Sequence, residues 1–366
     1  MNRQFSVYLD PLRLAAALTV FFSHLIIFGN PLLWRFKMFP AHEAVIIFFV
    51  LSGFVIAYVV LGRGEGAKEY TINRLTRIYS VVIPAMLITY LSLAVVTDYA
   101  PERIDWFAHE FDGPVYTFLN IFFMTHQSWQ QVLFYTNAPI WSIAFEMLYY
   151  LAFGILVFLK GWKKWVGFAA VCILMGPNIF LYFPIWLFGV LAYRIIERRN
   201  ETKSSYNLLI TFTPLIVAIV IMQPAIKEIT DSLSGLIVPE AISQFFNAQS
   251  KNILHDYIFG ALVAIHFVGA SRFFQSKNVF KEKLSGWIRH GSQMTFALYL
   301  LHLPLLYALT ALVTPKDSPV LHAFAALVGI PLLIYAMSLV IEKNKIHLKS
   351  LLLWVVSPKN SPGEQK

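Results

Sequence analysis

Ionisable side chains within apolar runs are costly, so each one is a candidate for chemistry. Arg13 and His24 lie eleven residues apart around the run 12–28. At 100° per residue this is three turns plus about 20°, which puts both side chains on one helix face, roughly 16 Å apart along the axis. A neutral imidazole can take a proton from a hydroxyl or attack a carbonyl carbon, as general base or as nucleophile. Taken singly, His24 also fits a structural hydrogen-bonder, and Arg13 a snorkelling anchor.

Arg74 and Arg77 sit one turn apart in Asn73-Arg74-Leu75-Thr76-Arg77, just ahead of another apolar run. The pair is topogenic on its own. With Arg13 at the same level it becomes a phosphate clamp, because guanidinium binds phosphate through two parallel donors. A donor held there by its phosphates, with an arm matching the Arg13–His24 separation, would present its reactive end near His24, and coenzyme A has such an arm. Glu146 is the one acid expected deep in a span, and Ser142, Glu146 and Tyr149 or Tyr150 share its face by spacings of three and four. A depth like that of His24 suggests that Glu146 orients the imidazole or meets the acceptor hydroxyl. Thr295, Tyr299 and His302 share a face of a later run. Ser142, Tyr149, Tyr299 and His302 are the expected substrate contacts.

These residues must be carried by membrane helices. The 366 residues are 58% hydrophobic and 13% charged, which excludes an ordinary soluble fold. Long continuous apolar runs argue for helices rather than an alternating barrel. They fall near 12–28, 45–61, 79–96, 139–159, 165–181, 183–196, 208–222, 253–270, 294–313 and 320–341. The expectation is an all-α polytopic transmembrane bundle of about ten spans. Residues 1–345 would form the membrane domain and 346–366 a polar, disordered cytoplasmic tail. The first run lacks a small-residue cleavage site and is expected to be a retained span.

With both termini cytoplasmic, 23 of the 29 Lys and Arg fall inside and eleven of the 20 acids outside, the asymmetry of cytoplasmic loops. The net +9 therefore reads as orientation, and a nucleic-acid partner is excluded. Counting 115–124 as a crossing would move the Lys160, Lys163, Lys164 cluster outside, so that stretch is expected to be a re-entrant or surface helix. Phe48–Phe54 reads as a packing notch at Ser52 and Gly53. His42 and Glu43 read as solvated at a helix end. The scattered histidines have no metal-ligand spacing, so no metal is expected, and lone Cys172 makes no intrachain disulfide. Nucleotide-binding glycine loops and the GxSxG elbow are absent from the sequence. Nothing in the pattern points to an oligomeric state.

Tyr8-Leu9-Asp10-Pro11-Leu12-Arg13 followed by Val20-Phe21-Phe22-Ser23-His24 resembles the opening of acyltransferase family 3, integral-membrane O-acyltransferases of bacterial surface glycans. The segments 48–54, 73–78, 139–150, 183–193 and 298–304 resemble further family blocks in the same order. Ala44, Ile46 and Ser80 depart from common family choices. The resemblance implies a catalytic His24 and a cytoplasmic acyl-CoA, most simply acetyl-CoA, held by Arg13, Arg74 and Arg77. It also implies an inner-membrane location and a glycan acceptor such as O-antigen, lipopolysaccharide or exopolysaccharide. Some members carry a fused esterase-like domain; lacking one here, the membrane domain is expected to act alone or with a partner. The rival from another class is a secondary transporter or glycan flippase.

Overall fold

The computed structural model describes residues 3–103, 113–198, 204–238, 252–275 and 282–356, and among them every regular element is a helix. The architecture is an all-α bundle, and the described residues hold eight helices long and apolar enough to cross a membrane, or nine counting one bent pair. The chain runs through α1 (Arg3–His24), α2 (Ala41–Ala57), α3 (Ala67–Tyr99) and a short α4 (Pro114–Phe122). Then come α5 (Trp141–Phe158), α6 (Gly161–Arg198), α7 (Ser204–Ile221), α8 (Pro224–Ser234), α9 (Ile253–Phe273), α10 (Glu282–Gln293) and α11 (Thr295–Leu312). A turn of helix α12 (Pro319–Phe324) leads through a π segment into α13 (Ile330–Val356). α11 is the central helix, with 72% of its apolar window buried against 28% for the last span.

Two breaks account for the difference between ten apolar runs and the eight or nine helices counted. α6 turns back on itself at Gly176, whose φ of +66° and ψ of 179° are not helical. Phe168 and Phe183 would lie more than 20 Å apart on a straight helix at about 1.5 Å per residue. Their rings are 6.4 Å apart, so the two arms lie side by side. Only glycine fits the turn: a β-carbon at 176 would meet the Ser128 carbonyl oxygen at 2.2 Å, and Pro177 follows without an N–H to continue the ladder. The expected runs 165–181 and 183–196 are thus the two arms, divided at Gly176 rather than near Tyr182. The second break, at Gln223 before Pro224, bends α7 against α8 by 82°.

The segment expected to be a surface or re-entrant helix is α4, nine residues with an exposed apolar face and too short to span. At the other end of the chain α13 continues to Val356, past the expected start of a polar tail at residue 346; residues 357–366 of that tail lie outside the described residues.

Backbone-to-backbone contact fixes α2 against the second arm of α6. A β-carbon at Gly53 would lie 2.0 Å from the Trp186 carbonyl oxygen, and one at Gly189 would lie 1.9 Å from that of Val50. The notch expected at Ser52 and Gly53 is therefore a helix contact. One expectation is overturned at the other end of α2, where α8 and α9 cover the helix terminus. Glu43 is buried and pairs with Lys227 at 3.0 Å. His42 Nε2 lies 2.8 Å from both oxygens of the fully buried Asp256, which also accepts from Tyr182 at 3.1 Å. Glu43 is enclosed and His42 keeps about 20% of its side chain exposed, and each is held by a charged partner rather than left to solvent.

Candidate active site

His24 is the last residue of α1, and the chain leaves it through a tight turn, Leu25–Phe28, closed by Gly29 at φ +69°. Beside it runs α11, where Tyr299 and His302 lie about one turn apart. Pro304 has no N–H, so the Leu300 carbonyl four residues earlier has no helical partner. The Asn137 amide donates to that carbonyl at 3.0 Å and to Thr89 Oγ1 at 3.0 Å, while Ser92 donates to the Pro304 carbonyl at 2.6 Å. The interruption in α11 is thereby turned into a clamp to α3 and the loop before α5, next to His302.

The two imidazoles meet edge to edge. His24 Nδ1 is 2.7 Å from His302 Nε2, and the ring planes are 14° apart. His302 is fully buried, with Phe21 edge-on at 6.0 Å and its Nδ1 2.7 Å from the Leu298 carbonyl. His24 is partly exposed.

A cavity with about 730 Å³ of empty space, open to solvent, lies between α1, α2, α3, α5 and α11. Arg13, Arg74, Arg77, Glu146, Ser142 and Tyr299 line it. Arg77 stacks over Phe296 at 5.7 Å, and Arg74 lies over the faces of Tyr70 and Tyr150 with Glu65 at 3.9 Å. Arg13 is 3.4 Å from Asp10. The buried Nε atoms of Arg13 and Arg74 have no hydrogen-bond partner, so two oriented cationic donors border the cavity unsatisfied. Arg13 and Arg77 also line a polar chamber of about 850 Å³ with Glu342 and Lys345, so the two guanidinium groups stand between chamber and cavity.

Deeper in, Glu146 accepts from Ser52 Oγ at 2.9 Å and from the Tyr150 hydroxyl, and Trp186 Nε1 donates to Ser52 at 3.2 Å. Ser142 and Tyr299 share a hydrogen bond of 2.8 Å. Tyr299 closes the series toward His302 on the same helix.

The structure therefore gathers Arg13, Arg74, Arg77, Glu146, Ser142 and Tyr299 around one cavity and pairs His24 with His302. It does not join Glu146 to His24 by any contact among the described residues; the carboxylate is held by Ser52 and Tyr150, and His302 is the group on the imidazole. His302 faces His24 from within the core rather than a substrate space. Tyr149, expected to contact substrate, is fully buried and donates to the Ile179 carbonyl at 2.7 Å; its neighbour Tyr150 lines the cavity instead. Adjacent helical residues point 100° apart, so only one of the two can serve that space. Ser52 and Lys345 were not singled out for the site by sequence, since a small residue in a packing notch and a lysine near the last span carry no distinguishing spacing.

The chain matches the model of an acyltransferase domain over residues 6–339. A curated relative, Nodulation protein 10 of Rhizobium leguminosarum bv. viciae, is 27% identical over 167 residues, 43% of this chain. The chain spans less than half, 45%, of that relative's length. No solved structure matches.

Proposed function

The chain belongs to acyltransferase family 3, a membrane acyltransferase by that membership and its apolar helices, and from this premise we propose that it is an O-acyltransferase of the bacterial inner membrane. Its reaction moves an acyl group, most simply acetyl, from cytoplasmic acyl-CoA to a hydroxyl of a cell-surface polysaccharide or its lipid-linked precursor. The observation that supports this reading is the cavity lined by three guanidinium groups and by the Ser142–Tyr299 pair, with Tyr299 about one helical turn before His302, the partner of His24.

In this reading Arg13, Arg74 and Arg77 bind the donor's phosphates, and the unsatisfied Nε donors of Arg13 and Arg74 fit an anion. The arm of the donor enters the cavity toward Ser142 and Tyr299, whose hydroxyls would hold the thioester. His24 is eleven helical residues beyond Arg13, roughly 16 Å along α1. It removes the acceptor's hydroxyl proton as the oxygen attacks the thioester carbonyl carbon. The new C–O bond forms, the C–S bond breaks, and the departing CoA thiolate takes the proton back from His24. Glu146, tied to Ser52 and Tyr150, lines the same cavity as the three arginines.

The test uses purified full-length protein returned to membrane vesicles that carry envelope glycans. Replacing His24 with Ala is expected to abolish transfer of label from acetyl-CoA while calorimetric binding of acetyl-CoA persists. Retained turnover would overturn the assignment, and a wild-type chain with no affinity for acetyl-CoA would favour a transporter. Mass spectrometry of envelope glycans with and without the protein identifies the acyl group and acceptor together.

A further inference from the structure

A general base is useful only when its free lone pair faces the proton it removes, and a neutral imidazole has one lone pair and one N–H. The geometry points to His302 as a positioning residue that holds His24 in the tautomer protonated on Nδ1, leaving Nε2 bare for the acceptor hydroxyl. This rests on the reading of His24 as the base.

The assignment follows from a chain of three groups. A carbonyl oxygen only accepts, so the 2.7 Å contact between the Leu298 carbonyl and His302 Nδ1 puts the His302 proton on Nδ1. Its Nε2 is then an acceptor, and the 2.7 Å contact with His24 requires Nδ1 of His24 to donate. That uses the one N–H of neutral His24 and leaves its Nε2 as a lone pair. The reverse order would need a second proton on His302. That would place a cation on a ring with no solvent exposure and no carboxylate among its hydrogen-bond partners, which is costly.

His302 stays in place because its own ring is held by Leu298, by Phe21 and by the Asn137 and Ser92 clamp around Pro304. When His24 takes up the proton, its Nδ1–H bond to His302 becomes charge-assisted and strengthens. This is the arrangement of a base oriented by a third group, with a neutral imidazole in the place a carboxylate often fills. Glu146, the carboxylate nearest to that role by sequence, is occupied elsewhere.

Two amide substitutions separate the nitrogens. His302→Gln puts an acceptor where Nε2 lies, whereas His302→Asn reproduces only the Nδ1 position toward Leu298. His302→Leu removes both. Label transfer from acetyl-CoA in the glycan-bearing vesicles is measured for each, with KM for acetyl-CoA. The Leu and Asn variants are expected to lose kcat by about 10–100-fold, the scale for removing the partner that orients a functional imidazole, with KM unchanged. The Gln variant is expected to recover most of the loss. Nitrogen NMR of histidine-labelled protein, with the His24 signals identified by their disappearance in His24→Ala, should show a protonated Nδ1 and bare Nε2 in the wild type. It should show a tautomer mixture in His302→Leu.

Wild-type kcat in His302→Leu, equal activity of the Asn and Gln variants, or a protonated Nε2 in the wild type would each overturn the role of His302. Turnover by His24→Ala would instead overturn the base, and with it this role. An inactive His24→Ala beside a fully active His302→Leu would remove only the latter.

Discussion

Arg77→Ala is the cleanest perturbation of the cationic wall. Arg77 is the exposed member of the three and stands between the polar chamber and the inner cavity. Arg74 is less suitable, because Tyr70, Tyr150 and Glu65 already use it in packing. A hydrogen bond from a charged donor contributes about 1.5–3 kcal/mol, so loss of the guanidinium should weaken acetyl-CoA binding by about 10–150-fold. Exposure of Arg77 argues for the lower part of that range, and added salt should narrow the difference. Arg77→Lys keeps the charge but not the planar fork, and its affinity should fall between the two. Calorimetry with acetyl-CoA measures these values; acetylpantetheine, which carries the thioester arm without phosphates, is the control. Equal affinity of wild type and Arg77→Ala for acetyl-CoA would refute the phosphate assignment. An equal loss for acetylpantetheine would refute it as well, since the arginine would then be shaping the cavity.

Other substitutions separate architecture from chemistry. Tyr150→Phe removes a donor to Glu146 at the cavity and should lower kcat/KM for acyl transfer, whereas Tyr149→Phe leaves the Ile179 carbonyl unpaired and should cost about 1–3 kcal/mol of stability, read as a lowered Tm at unchanged kcat. Gly176→Ala forces a β-carbon into the Ser128 carbonyl at positive φ and should sharply reduce the yield of folded protein, measured by size-exclusion profile in detergent. His42→Ala strips Asp256 of a partner and should destabilise by about 3–5 kcal/mol, seen in thermal unfolding, while acetyl-CoA affinity is unchanged.

The helical class and the membrane runs were legible because lipid forces apolar length and internal backbone bonding. Arg13, Arg74, Arg77 and Glu146 were legible for a related reason: a charge in such a run stands out one residue at a time. What sequence could not supply was which face meets which. His24 and His302 are 278 positions apart and Ser52 and Glu146 are 94 apart, and helical periodicity gives a face without giving its neighbour. Depth alone set Glu146 beside His24, whereas its hydrogen bonds go to Ser52 and Tyr150. Tyr149 and Tyr150 fit spacings of three and four equally well, and only packing distinguished them. His42 and Glu43 looked exposed because their cover comes from α8 and α9, more than 180 residues later.

The position of Arg13 and Arg77 between the chamber and the cavity bears on permeability. A membrane enzyme with an internal cavity risks becoming a leak for protons and small cations. Fixed guanidinium groups at the junction oppose that leak, because their positive field raises the barrier to any cation while lowering it for an anion. The same groups proposed to admit a phosphate-bearing donor would thus also oppose the passage of cations between the two spaces that they line.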